Sequence, residues 1–114
     1  MDWYEIEYLY PHSYKKFVET MFPNIGVISV SILKYYDLKK LFQFFDNEEI
    51  YLNIEMINTY LWSYNINCGN KIIFNSNDSF KKTRNEIESI GFFECFRILE
   101  KKINYKNNHV SNEL

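Results

Sequence analysis

The stretch NDSFKKTRNEIESIGFFECFRILEKKI, Asn77 to Ile103, decides how the chain is read. Within it Ile87, Phe92, Cys95, Phe96, Ile98, Leu99 and Ile103 keep a broad apolar stripe at helical spacing. Asn77, Asp78 and Ser79 carry the short polar side chains that accept bonds from the orphan N–H groups of a helix start. Lys101, Lys102 and Lys106 suit the negative pole at its far end. Gly91 inside the run costs about 1 kcal/mol relative to alanine, so it marks either a close approach of helix to sheet or a break in the helix. No other segment is as long, and the remaining elements are expected to pack against it.

Upstream the period changes to two. Ile50, Leu52, Ile54 and Met56 alternate with Tyr51, Asn53 and Glu55. After a turn near Asn58-Thr59, Tyr60, Trp62, Tyr64 and Ile66 alternate with Leu61, Ser63, Asn65 and Asn67. Asn67-Cys68-Gly69-Asn70 has hairpin chemistry, and Lys71 to Phe74 returns as a third strand. These runs predict a three-stranded antiparallel meander. Before it, Leu38, Leu41, Phe42 and Phe45 form a helical stripe behind Asp37 as N-cap, with Phe44 off the stripe and Asn47 as the left-handed cap. Gly26 to Ser31 reads equally as a short strand or an extended connection. Tyr14, Phe17, Val18, Met21 and Phe22 make another amphipathic helix, capped by Ser13 and stopped before Pro23.

At the start, Tyr4, Ile6, Tyr8 and Tyr10 alternate with Glu5 and Glu7, which predicts a half-buried strand ended by Pro11. The expected fold is α+β, a single domain over residues 1–103. Its small antiparallel sheet is the three-stranded meander plus the N-terminal strand, packed by about three helices. Residues 104–114 read as a polar, disordered tail.

Composition bounds the function classes. The 114 residues fit one domain, and their 46% hydrophobic content can fill one core. Ten Tyr, ten Phe and two Trp exceed what that core needs, so some aromatic side chains are expected half-exposed at an interface. Codon drift in an AT-rich genome is a plainer source, since Lys, Asn, Ile, Phe and Tyr are enriched together. A net charge of −2 argues against a general nucleic-acid or anionic-membrane binder. Residues 1–60 carry nine acids and five bases, and residues 61–114 six acids and eight bases. This modest dipole either orients a partner or reflects solvated faces. Cys68 and Cys95 lack metal-ligand spacing and read as reduced thiols. No run is long enough to span a bilayer, and Met1-Asp2-Trp3-Tyr4-Glu5 is acidic where a signal peptide is basic. A cytoplasmic location is expected.

Catalytic constellations are sparse. His12 follows a proline at a helix start, where a solvated or capping role is the ordinary one, and His109 lies in the tail. There is no GxSxG, P-loop or GxGxxG, and Gly26, Gly69 and Gly91 are too far apart to cradle a phosphate. Glu5 and Glu7 share one strand face and Glu55 lies on another; as neighbours they would bind a divalent ion, and otherwise they guard a sheet edge. Lys71, Lys81, Lys82 and Arg84 near Tyr60, Trp62 and Tyr64 form the best platform for single-stranded nucleic acid, but burial of that strand face would remove it. Tyr35, Tyr36, Phe44, Tyr51 and Phe93, outside the helical stripes, are good anchors for another protein. An aromatic-rich chain with few catalytic groups fits binding better than turnover.

The phrases Trp3-Tyr4-Glu5-Ile6-Glu7, Phe22-Pro23-Asn24-Ile25-Gly26, Tyr36-Asp37-Leu38-Lys39-Lys40-Leu41, Phe44-Phe45-Asp46 and Glu94-Cys95-Phe96-Arg97 resemble those of small uncharacterised accessory proteins of AT-rich bacteriophages of gut Bacteroidetes. The resemblance spans residues 3–103, and its motifs are structural, so they bring no site with them. It implies a viral or mobile-element protein acting in the host cytoplasm by binding, inhibition of host defence included. The expectation is a non-enzymatic module without cofactor or metal that binds another protein. Tyr35, Tyr36, Phe44 and Tyr51 would be its anchors, and Glu5, Glu7 and Glu55 its acidic charge. The alternatives are a single-stranded nucleic-acid accessory protein and a carboxylate–metal enzyme. Self-association through an open sheet edge is compatible with all three, and a membrane is not an expected partner.

Overall fold

A computed structural model describes residues 1–24, 33, 38–59, 61–69, 71–75 and 83–112. The described elements are α1 (Trp3–Leu9), α2 (Pro11–Met21), α3 (Leu38–Asn47), β1 (Ile50–Asn58), β2 (Leu61–Cys68), β3 (Lys71–Asn75) and α4 (Arg84–Asn112). The class is α+β with an antiparallel sheet. The chain divides into two compact units. One holds Asp37–Cys95 with Met1; the other holds Asp2–Tyr36 and Phe96–Leu114. The expectations for Gly26 to Ser31, for Asp37 as a cap and for Asn77 to Ser79 as a cap fall outside the described residues.

In the first unit the sheet order is β1-β2-β3, and each neighbouring pair is antiparallel. Leu52 faces Ile66 and Ile54 faces Tyr64 across the β1–β2 ladder. This places Ile50, Leu52, Tyr64 and Ile66 in the core. On the opposite face Asn53 Nδ2 donates to Asn65 Oδ1 at 2.9 Å. Gly69 takes φ 61°, the left-handed region that the turn between β2 and β3 needs. α3 packs on β1, its Leu41, Phe44 and Phe45 are buried, and Phe42 meets Phe92 edge-on at 4.7 Å. After α3 the left-handed residue is Glu49 (φ 60°), two positions beyond the expected Asn47.

α4 begins at a capping box. Thr83 Oγ1 accepts from Glu86 N at 3.2 Å, and Glu86 Oε1 accepts from Thr83 N and Oγ1. Ile87, Gly91, Phe92, Cys95, Phe96, Leu99 and Glu100 make its buried stripe. The helix runs unbroken through Gly91, whose absent side chain leaves room for Leu52: a Cβ there would lie 2.6 Å from Leu52 Cδ1. It also continues through residues 104–112, where the sequence reads a polar tail.

In the second unit, the segment predicted as an N-terminal strand is a helix. Asp2 Oδ1 accepts from Glu5 N at 3.1 Å and caps α1. Trp3, Ile6 and Tyr10 recur at i, i+3 and i+7, and Trp3 and Ile6 are buried. The sheet therefore has no N-terminal strand among the described residues. Trp3 stacks on Phe17 at 5.3 Å and meets Phe96 edge-on at 5.8 Å; Phe17 and Phe96 are perpendicular at 5.8 Å. Pro11 opens α2 at its first turn, a position where its missing N–H costs nothing. Ser13, read as the cap, is the third residue of the helix instead, buried with its Oγ donating to the Phe96 carbonyl at 2.9 Å.

Candidate functional site

Two features of the second unit stand out, a buried carboxylate at the start of α2 and an exposed aromatic stripe on α1. Tyr10, the N-cap of α2, makes no side-chain cap bond. The orphan N–H groups are met by Glu100, 88 residues downstream of His12. Its Oε1 accepts from His12 N at 2.6 Å, and its Oε2 accepts from Ser13 N at 3.3 Å. The same Oε1 lies 3.2 Å from His12 Nδ1. The Glu100 side chain is only 8% exposed, whereas His12 is 55% exposed. A buried charge is tolerated when its lone pairs are met by aligned donors, as here. The imidazole is thereby held by one nitrogen to a buried carboxylate, with Nε2 on the other side of the ring. Nothing in the local sequence around His12 points to Glu100. The available signal is that Glu100 continues the i, i+4 series of Phe92 and Phe96, a charged residue in an apolar stripe.

α1 turns the other way. Tyr4 and Tyr8 are 67% and 84% exposed and lie one turn apart on the face opposite Trp3 and Ile6. Helical geometry sets Glu7 on one side of this pair and Glu5 on the other, both exposed, with Leu9 beyond Glu5. Tyr14 on α2 titrates above its ordinary value, through burial first and the nearby Glu7 carboxylate second.

Of the predicted site residues, Phe44, Tyr51 and Glu55 belong to the first unit and Glu5 and Glu7 to the second. Phe44, expected as an exposed anchor, is buried at 1% against Phe45, because the α3 stripe runs through Leu41, Phe44 and Phe45. Tyr35 and Tyr36 lie outside the described residues. Tyr51 is on the outer face of β1 and only 37% exposed. Glu5 and Glu7 sit two positions apart on a helix, which points them to different sides and removes the shared strand face. Glu55 is exposed on β1, in the other unit. Among the described residues no group of three His, Cys, Asp or Glu side chains could hold a metal ion. Of the nucleic-acid platform, Tyr64 is buried, Trp62 is half-buried with the Arg84 guanidinium 5.9 Å from its ring centre, and Tyr60, Lys81 and Lys82 are outside the described residues. The side chain of Phe93 is half-buried.

Compared with known proteins, the chain matches no family model, no curated protein and no solved structure. Among the described residues no helix is long and apolar enough to cross a membrane. Cys68 and Cys95 are not joined in a disulfide; burial pushes the Cys95 thiol far above its ordinary value, with Cys68 and Glu94 adding to the rise.

Proposed function

We propose that the protein is a non-enzymatic binding module whose partner is another protein, and that α1 is the element that contacts it. The observation that carries this reading is the Tyr4–Tyr8 stripe. Two tyrosines stand in solvent on a helix whose opposite face is locked by Trp3 and Ile6 into an aromatic core. Such anchors bury large area on binding at a small cost in side-chain entropy, because their mounting is already rigid. Glu5 and Glu7 on either side favour a partner with an apolar groove and basic rims, and steer its approach. The resemblance to phage accessory proteins would place that partner among host or defence factors, met in the host cytoplasm. Tyr4 and Tyr8, rather than Tyr35, Tyr36 and Phe44, are the anchors, and Glu5 and Glu7 supply the acidic charge.

The test is capture of partners from bacterial lysate by tagged protein, with and without nuclease, compared with the Tyr4→Ala/Tyr8→Ala variant. A stoichiometric protein that survives nuclease and is lost with the double substitution supports the reading. Because both rings lie largely in water, the variant should melt within about 2 °C of the parent, a surface effect of under 0.5 kcal/mol. A partner lost on nuclease treatment, or retained by the variant, refutes it.

A further inference from the structure

Downstream of the His12–Glu100 pair, α2 and α4 border a groove of about 460 Å³. From α2 it is lined by His12, Lys15, Lys16 and Glu19, spaced i, i+3, i+4 and i+7 and hence on one helix face. From α4 it is lined by Ile103, Lys106 and Asn107, again at i, i+3 and i+4. Its volume falls within the roughly 300–1,000 Å³ of small-molecule clefts. Three ammonium groups face one carboxylate there, in a chain whose net charge is negative. Glu19 sits 3.9 Å from Lys15, and Lys106 has no ion-pair partner among the described residues. The groove is thus a local basic site on an acidic protein.

We propose that this groove binds a terminal phosphate monoester, with Lys15, Lys16 and Lys106 as the charge partners and His12 Nε2 as the directional contact. Glu100 is the reason for phosphate rather than any anion. A carboxylate that already accepts two backbone N–H groups can only accept from His12 Nδ1, so Nδ1 carries the ring proton when the imidazole is neutral. Nε2 then offers a lone pair, and after protonation it offers an N–H. A phosphate monoester, whose second proton leaves near pH 6, can either donate a P–O–H to that lone pair or accept from that N–H. Sulfate can only accept. Ile103 supplies an apolar wall and Asn107 an amide beside the organic part of the ester. The phosphate can come from a small metabolite or from the end of an oligonucleotide. This proposal does not depend on α1 or its tyrosines.

The experiment follows the His12 imidazole resonances of the full chain by NMR during titration with inorganic phosphate, adenosine 5′-monophosphate, a 5′-phosphorylated oligonucleotide and sodium sulfate at matched ionic strength. The expected result is a saturable His12 shift with phosphate in the millimolar range and tighter binding of the nucleotide. Lys106→Gln should weaken both by about tenfold while leaving the melting temperature unchanged, and sulfate should bind about tenfold more weakly than phosphate. A preference of the oligonucleotide over the mononucleotide identifies the nucleic-acid end as the source, and the reverse identifies the metabolite. The proposal is overturned by the absence of saturation up to about 50 mM phosphate, by equal responses to sulfate and phosphate, or by a Lys106→Gln variant that binds like the parent.

Discussion

Gly91→Ala is the perturbation whose sign the structure decides. In an open helix interior the change gains about 1 kcal/mol from helix propensity. Here the new methyl would lie 2.6 Å from Leu52 Cδ1, 2.9 Å from Cδ2 and 3.3 Å from Cγ, and Leu52 is itself only 7% exposed. Overpacking of that kind costs about 1–3 kcal/mol, so the net effect should be a loss of about 0–2 kcal/mol. Leu52→Ala removes all three opposing atoms and, by itself, should cost about 2–5 kcal/mol. In that background the same Gly91→Ala change should instead stabilise by about 1 kcal/mol, since the methyl gains helix propensity and enters vacated space. Urea unfolding of the four proteins gives the cycle, with m-values checked for constancy and sucrose present throughout to keep the weakest variant folded. The expected coupling is about 1–3 kcal/mol, with a reversal of sign. If Gly91→Ala stabilises both backgrounds equally, Leu52 swings aside freely and the close-contact argument fails.

Further outcomes can be checked by the same unfolding assay. Glu100→Ala removes the acceptor for His12 N, Ser13 N and His12 Nδ1 and should cost about 1.5–3 kcal/mol, the scale of charged hydrogen bonds; a loss below about 0.5 kcal/mol would show that water replaces it. Thr83→Ala breaks the capping box of α4 and should cost about 1 kcal/mol, while Thr83→Asn should cost little. The raised Cys95 pKa means that the native state keeps the thiol proton after the unfolded chain has released it. The unfolded state then binds fewer protons, so stability should fall as pH rises above the ordinary thiol value of 9.0. The slope contributed by this one group approaches about 1.4 kcal/mol per pH unit. Cys95→Ala should flatten that part of the profile; an unchanged slope would assign it to other groups. A thiol reagent should modify half-buried Cys68 well before buried Cys95, read by mass spectrometry of the native protein.

Which elements the sequence revealed depends on how long each pattern runs. Ile87 to Leu99 carry the helical stripe through enough turns to exclude a strand, and the alternation from Ile50 to Ile66 excludes a helix over two consecutive runs. α1 is only seven residues long, and over that window Tyr4, Ile6, Tyr8 and Tyr10 fit a strand as well as Trp3, Ile6 and Tyr10 fit a helix. Tyrosine and isoleucine favour strands, while Asp2 as cap is the local sign of the helix. Phe44 was displaced by a similar ambiguity, because stripes starting at Leu38 and at Leu41 both keep helical spacing. The Glu100 contact was not legible in principle from local pattern. It joins two segments far apart in the chain, and only the oddity of a carboxylate in register with Phe92 and Phe96 hinted at it.

The separation of 88 positions between His12 and Glu100 also sets an order of events during synthesis. At about 5–20 residues per second, roughly 4–18 s separate the appearance of His12 from that of Glu100. Phe96, which closes the ring cluster with Trp3 and Phe17, arrives only just before it. Until then α1 and α2 have neither the carboxylate that satisfies their junction nor the aromatic ring that covers their apolar faces. α1 and α2 are therefore secured only once Phe96 and Glu100 have followed them, and until then Trp3 and Phe17 lack the ring that packs against both.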